Sequence, residues 1–75
     1  MKVFFTGATG VIGRRAVPAL LAAGHDVTGV ARNESDREWL DQLGARPVEL
    51  DLFDPAAVQA ATVGAEAIVH MATAI

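Results

Sequence analysis

The chain has 75 residues, 52% of them hydrophobic, no cysteine and a formal net charge of −3. This is the composition of a globular chain with apolar mass for a core, and its interspersed charges exclude the basic stripe that nucleic acid or an anionic membrane demands of a partner. The missing cysteines exclude disulfide frameworks and thiolate metal sites.

At the N-terminus only Val3, Phe4 and Phe5 follow Met1-Lys2 before Thr6-Gly7. That run is too short for a signal peptide or a membrane span, which makes the cytoplasm the expected location. Val3 to Thr6, β-branched and aromatic and stopped by glycine, predicts a first strand buried on both faces. From Val11 to Ala23 the apolar residues Ile12, Ala16, Ala19, Leu20 and Ala23 recur at helical spacing, with Arg14 and Arg15 off the stripe and Gly24 as the stop. Pro18 falls inside this helix and cannot bond the carbonyl of Arg14. His25-Asp26 reads as a surface turn leading into a second strand, Val27 to Val30. Ser35 with Glu38 has the capping-box spacing that opens a second helix, in which Trp39, Leu40 and Leu43 form the core stripe and Gly44 the end. Pro47 to Leu52 predicts a third strand with proline at its first position. Asp54-Pro55 predicts a capped third helix running to about Ala61. Ala67 to Met71 predicts a fourth strand.

Four strands alternating with three helices through short links predict a parallel sheet with right-handed crossovers. An α/β sheet covered on both faces normally needs more than ~100 residues. The expectation is therefore an α/β chain forming the N-terminal half of a doubly wound fold over residues 1–75, truncated after the fourth strand, in the order 3-2-1-4.

Gly7, Gly10 and Gly13 fall between the first predicted strand and the first predicted helix, the context in which such spacing has a mechanical meaning. Gly7 would permit the tight turn, Gly10 would let a pyrophosphate reach the backbone, and Gly13 would let the helix pack closely. Free N–H groups at the helix start would then face the phosphates. A nucleoside-triphosphate loop is excluded, because Arg14-Arg15 follows Gly13 and Lys2 is the sole lysine.

The loop Thr6-Gly7-x-x-Gly10-x-x-Gly13 resembles that of the extended and atypical short-chain dehydrogenases/reductases, which include nucleotide-sugar epimerases and dehydratases, dihydroflavonol-type reductases and NmrA-like proteins. Ala31-Arg32-Asn33 after the second strand, Asp51-Leu52 after the third and His70-Met71-Ala72 at the end of the fourth match in register, so the resemblance covers the whole chain. It implies a Rossmann fold that holds a dinucleotide through Gly7, Thr9, Gly10, Val11, Ile12, Gly13, Arg32, Asp51, Leu52, Met71 and Ala72. In such proteins the matching Asp accepts a hydrogen bond from the adenine amino group, the residue after it meets the ring edge, and the small residue at 72 lets the backbone approach ribose and phosphate.

NAD-preferring sites usually place a carboxylate at the end of the second strand, about 20 residues past the glycines. Arg32 stands there, and a guanidinium pairs with the 2′-phosphate that a carboxylate repels. NADP(H) is therefore the expected cofactor, with NAD(H) as the alternative. Read alone, Arg32 is also a solvated loop arginine within reach of Glu34 or Asp36, and Asp51 a solvated strand-end carboxylate. His70 reads as a packed strand-end histidine with no visible partner, and Arg14 and Arg15 as a solvated helix face.

The resemblance also defines what is absent. Redox and epimerase members use a Tyr-x-x-x-Lys pair in which the lysine lowers the tyrosine's pKa, yet the chain has no tyrosine. No catalytic or metal-binding residue is assigned. The leading expectation is the cofactor-binding segment of an NADP(H)-dependent oxidoreductase or epimerase/dehydratase-like enzyme. The others are a non-catalytic NmrA-like NADP(H)-binding regulator, and a structural remnant that binds nothing useful. An open edge on the fourth strand further implies self-association of the isolated chain.

Overall fold

The computed structural model describes residues 1–8 and 10–70. The elements run β1 (Lys2–Thr6), α1 (Gly13–Ala22), β2 (Asp26–Val30), α2 (Glu34–Leu43), β3 (Arg46–Val48), α3 (Pro55–Ala61) and β4 (Ala67–His70). All strands are parallel in one sheet ordered β3-β2-β1-β4, the order expected of the N-terminal half of a Rossmann fold.

β1 lies between β2 and β4, with Val3 in register with Val27 and Ala67, and Phe5 with Gly29 and Val69. Val3, Phe4, Phe5 and Thr6 are all buried, which is why this stretch reads as a continuous apolar run and not as an alternation. β4, at the sheet edge, does alternate: Ala67 and Val69 turn to the core while Ile68 is 58% exposed. Val3, Phe5 and Val27 form one core face with Val17 of α1 and Leu40 of α2, and Leu20, Leu21, Trp39 and Leu43 pack around it. On the other face Ala61, Val63, Gly64 and Ala65, at and beyond the end of α3, border Phe4 and Thr28. α3 itself buries no residue.

The stripe of α1 differs from the periodicity. Gly13 and Val17 are its buried positions, with Ala16, Leu20 and Leu21 packed beside them, whereas Ile12 is 58% exposed and Ala19 and Ala23 are solvent-facing. The helix also begins at Gly13, two residues later than its hydrophobic pattern suggests. Its rotation is set by backbone packing at Gly13, which no hydrophobicity pattern registers. Pro18 stands within a continuous helix, since losing one bond to Arg14 does not outweigh the packing of the apolar face.

α2 departs from the reading at its start. Asn33, not Ser35, is the N-cap: it is extended (φ −154°) and its side chain accepts the Asp36 N–H at 2.9 Å. Asparagine caps at least as well as serine, and capping from 33 places Asp36, rather than Glu38, at the third helical position. Both α1 and α2 close through the same paired bonds. Gly24 and His25 donate to Leu21 and Leu20, and Gly44 and Ala45 donate to Asp41 and Leu40, with Gly24 and Gly44 left-handed.

β3 is shorter than expected, ending at Val48 instead of Leu52 and placing Pro47 second. Its partner β2 ends at Val30, and the Ala31 N–H gives Val48 the last bond between the two segments at 2.8 Å. Past that point the chain turns: Asp51 accepts the Phe53 N–H through its side chain at 2.9 Å and the Asp54 N–H through its carbonyl at 3.1 Å. Asp54 then caps α3 as expected, accepting from Ala56 and Ala57.

Candidate functional site

Parallel strands carry every strand-to-helix junction to one edge of the sheet, and the strand order reverses between β1 and β4, where ligands of such folds bind. Gly7 leaves β1 there with φ of 72°, a conformation that costs glycine nothing. Its carbonyl accepts the Gly10 N–H at 3.0 Å, and the Gly10 carbonyl accepts the Arg14 N–H at 2.9 Å, so the turn runs directly into α1.

Gly13 seats α1 on this turn. A Cβ at Gly13 would stand 2.5 Å from the Gly7 carbonyl oxygen and from the Ala8 carbonyl carbon, and closer still to the Ala8 oxygen. Ala8, fully buried, continues the contact inward. At Gly29 of β2 a Cβ would meet the Ala8 Cβ at 3.1 Å and Leu40 Cδ2 at 3.0 Å. Ala8 and Gly29 therefore belong to the scaffold of the loop although sequence reasoning passed over them; a glycine inside a strand is the signal that marked the close approach.

The outer side of the loop is open. A Cβ at Gly10 would meet only the Gly7 oxygen, at 3.3 Å, and Gly10, Val11 and Ile12 are exposed. Ile12 precedes α1 without a side-chain cap, and in the first turn the N–H groups of Arg14, Arg15 and Ala16 are taken by the Gly10 and Ile12 carbonyls. An exposed backbone at Gly10 to Ile12 and the positive end of a helix fit a pyrophosphate.

The other sequence-derived positions distribute along the same edge. Arg32 follows β2 with its side chain 76% exposed, and its Nε donates to Asp36 Oδ2 at 3.4 Å. Asp51, exposed, and Leu52, half-buried, lie in the turn after β3, not on the strand. Thr9, Met71 and Ala72 lie outside the described residues.

Two contacts and one enclosed side chain were not foreseen. His70 has a partner after all: its Nδ1 shares a 2.7 Å hydrogen bond with the buried Thr6 hydroxyl, which the register of β1 and β4 places opposite it. Arg14 is not simply solvated, because its guanidinium carbon lies 5.4 Å from the centroid of the Trp39 ring, a cation–π contact joining α1 to α2. His25 is more enclosed than a surface turn implies: its Nδ1 is buried and without a hydrogen-bond partner. Among the described residues no acid or histidine cluster could hold a metal ion, and no helix is long and apolar enough to cross a membrane.

A family model described as NAD(P)H-binding matches residues 7–74. The chain belongs to this NAD(P)H-binding family. It is 32% identical over 71 residues to a decarboxylating sterol-4-alpha-carboxylate 3-dehydrogenase of Dictyostelium discoideum, covering 95% of this chain and 22% of that protein. It superposes on a nucleoside-diphosphate-sugar epimerase from Pseudomonas aeruginosa with a TM-score of 0.82 at 30% identity, over 93% of this chain and 23% of that one. A short-chain dehydrogenase/reductase superfamily protein from Agrobacterium tumefaciens with bound NAD matches at a TM-score of 0.76 and 28% identity, over 100% of this chain and 21% of that one. The NAD(P)H-binding chain thus spans under a quarter of each of these proteins.

Proposed function

We propose that the chain is the cofactor-gripping segment of an oxidoreductase or epimerase-like protein that prefers NADP(H) to NAD(H). The cofactor, when bound, supplies hydride exchange between its nicotinamide and a carbonyl or alcohol carbon. The chain's own residues supply grip. Gly7, Thr9, Gly10, Val11, Ile12 and Gly13 would hold the pyrophosphate through backbone N–H groups. Asp51 would accept from the adenine amino group with Leu52 beside the ring, and Met71 and Ala72 would line the approach to ribose and phosphate. The preference rests on one observation, an exposed guanidinium at Arg32 in the place where NAD-selective sites carry a carboxylate.

Isothermal titration of NADPH and NADH tests this reading. Tighter binding of NADPH, reduced to parity by Arg32→Ala, is expected; equal affinities in the wild type would refute the preference.

A further inference from the structure

Arg32 is a long side chain, 76% exposed, assigned to one phosphate. Left unrestrained, such a side chain loses much of its rotamer freedom on binding and contributes correspondingly little selectivity. It is not unrestrained here. Asp36 Oδ2 accepts from the Arg32 backbone N–H at 3.2 Å and from its Nε at 3.4 Å, so one oxygen ties both the root and the head of the arginine.

Asp36 is itself held in place. Its side chain is only 9% exposed, its N–H is held by the Asn33 side chain at 2.9 Å, and it sits in the first turn of α2, where the helix dipole favours a carboxylate.

We propose that Asp36 is the positioning residue for Arg32 and sets how strongly the site discriminates a 2′-phosphate from a 2′-hydroxyl on the adenosine ribose. The inference rests on the reading of Arg32 given above. It competes with a purely structural role, in which Asp36 only completes the cap of α2.

The two roles differ in sign and not just in size. Judged on charge alone, removing a carboxylate beside a dianionic phosphate should strengthen binding of the phosphorylated ligand. Loss of a cap should weaken every ligand in the same proportion. Positioning predicts something else, a fall confined to the phosphorylated ligand.

The test titrates NADPH, NADH, adenosine 2′,5′-bisphosphate and AMP into the wild-type chain, Asp36→Ala, Asp36→Asn, Arg32→Ala and the Arg32→Ala/Asp36→Ala double variant. Asp36→Ala is expected to lower the NADPH-to-NADH and bisphosphate-to-AMP affinity ratios by about three- to tenfold. Asp36→Asn, which keeps an acceptor oxygen, should give an intermediate ratio, and in the Arg32→Ala background the Asp36 substitution should leave the ratios unmoved. Should Asp36→Ala fail to fold, Asp36→Asn carries the comparison. Ratios that rise, or stay constant while all affinities fall together, would overturn the positioning role and leave the reading of Arg32 intact. Equal wild-type affinity for the members of each pair would instead overturn the Arg32 reading, and the positioning role with it.

Discussion

Replacing Gly13 by alanine is the sharpest perturbation of the loop. The added methyl would meet three backbone atoms of Gly7 and Ala8, two of them at 2.5 Å and the third nearer, where carbon contacts settle at about 3.5 Å. The start of α1 must therefore move by about 1 Å. Backbone neighbours cannot rotate aside, which puts the cost near the upper end of the range for overpacking, about 3 kcal/mol. Alanine's better helix propensity returns at most about 1 kcal/mol. The net loss is about 2 kcal/mol, or a fall in Tm of about 8–16 °C for a domain of this size. Urea unfolding followed by the fluorescence of Trp39, the sole tryptophan, measures it directly. Gly10→Ala is the control, because a methyl there meets only the Gly7 oxygen, at 3.3 Å. That variant should keep its unfolding free energy to within about 0.5 kcal/mol and yet lose about tenfold in dinucleotide affinity, roughly 1.4 kcal/mol, since its methyl lies on the exposed side of the loop. An unchanged midpoint for Gly13→Ala, or equal destabilisation by the two substitutions, would refute the reasoning that Gly13 packs and Gly10 admits ligand.

Thr6→Val removes the hydroxyl that shares a bond with His70 and should cost about 1 kcal/mol; an unchanged urea midpoint together with unchanged ring nitrogen shifts of His70 would contradict that coupling. Arg14→Ala should cost about 0.5–1 kcal/mol and alter Trp39 emission in the folded state, and identical spectra would show that the two side chains are not stacked in solution. With β4 the edge strand among the described residues and Ile68, Phe53 and Val63 58%, 83% and 81% exposed, the 75-residue chain should sediment as a concentration-dependent mixture. A monomer with a sharp, concentration-independent melt would overturn this expectation.

Much of the architecture was legible because the relevant forces act locally. Glycine stops at 24 and 44, the Asp54-Pro55 start of α3 and the apolar run of β1 each follow from a few adjacent residues. What was misread depends on partners distant in sequence. Periodicity placed Ile12 inward, but the direction of α1 is decided by Gly13 against the Gly7–Ala8 backbone. The end of β3 depends on where β2 stops, and the partner of His70 sits on Thr6, 64 positions away and a neighbour only through strand register. For α2 the error was one of competition between caps: Ser35 and Glu38 had the right spacing, and Asn33 captured the helix first.

That same capture gives the candidate site its character. Beginning α2 at Glu34 brings Asp36 into the first turn, where its carboxylate reaches back to Arg32; a helix capped at Ser35 would have placed Asp36 at its first position, with its N–H no longer claimed by the cap. A choice of cap thus determines where a guanidinium is held. Gly13 couples fold and grip differently, since the contact that seats α1 also sets where its N-terminus stands beside the exposed turn proposed to hold the pyrophosphate. Substitutions at Gly13 should therefore change stability and affinity together. Those at Gly10 and Arg32 should change affinity with less effect on folding, because a methyl at Gly10 meets a single atom, at 3.3 Å, and the Arg32 side chain is 76% exposed.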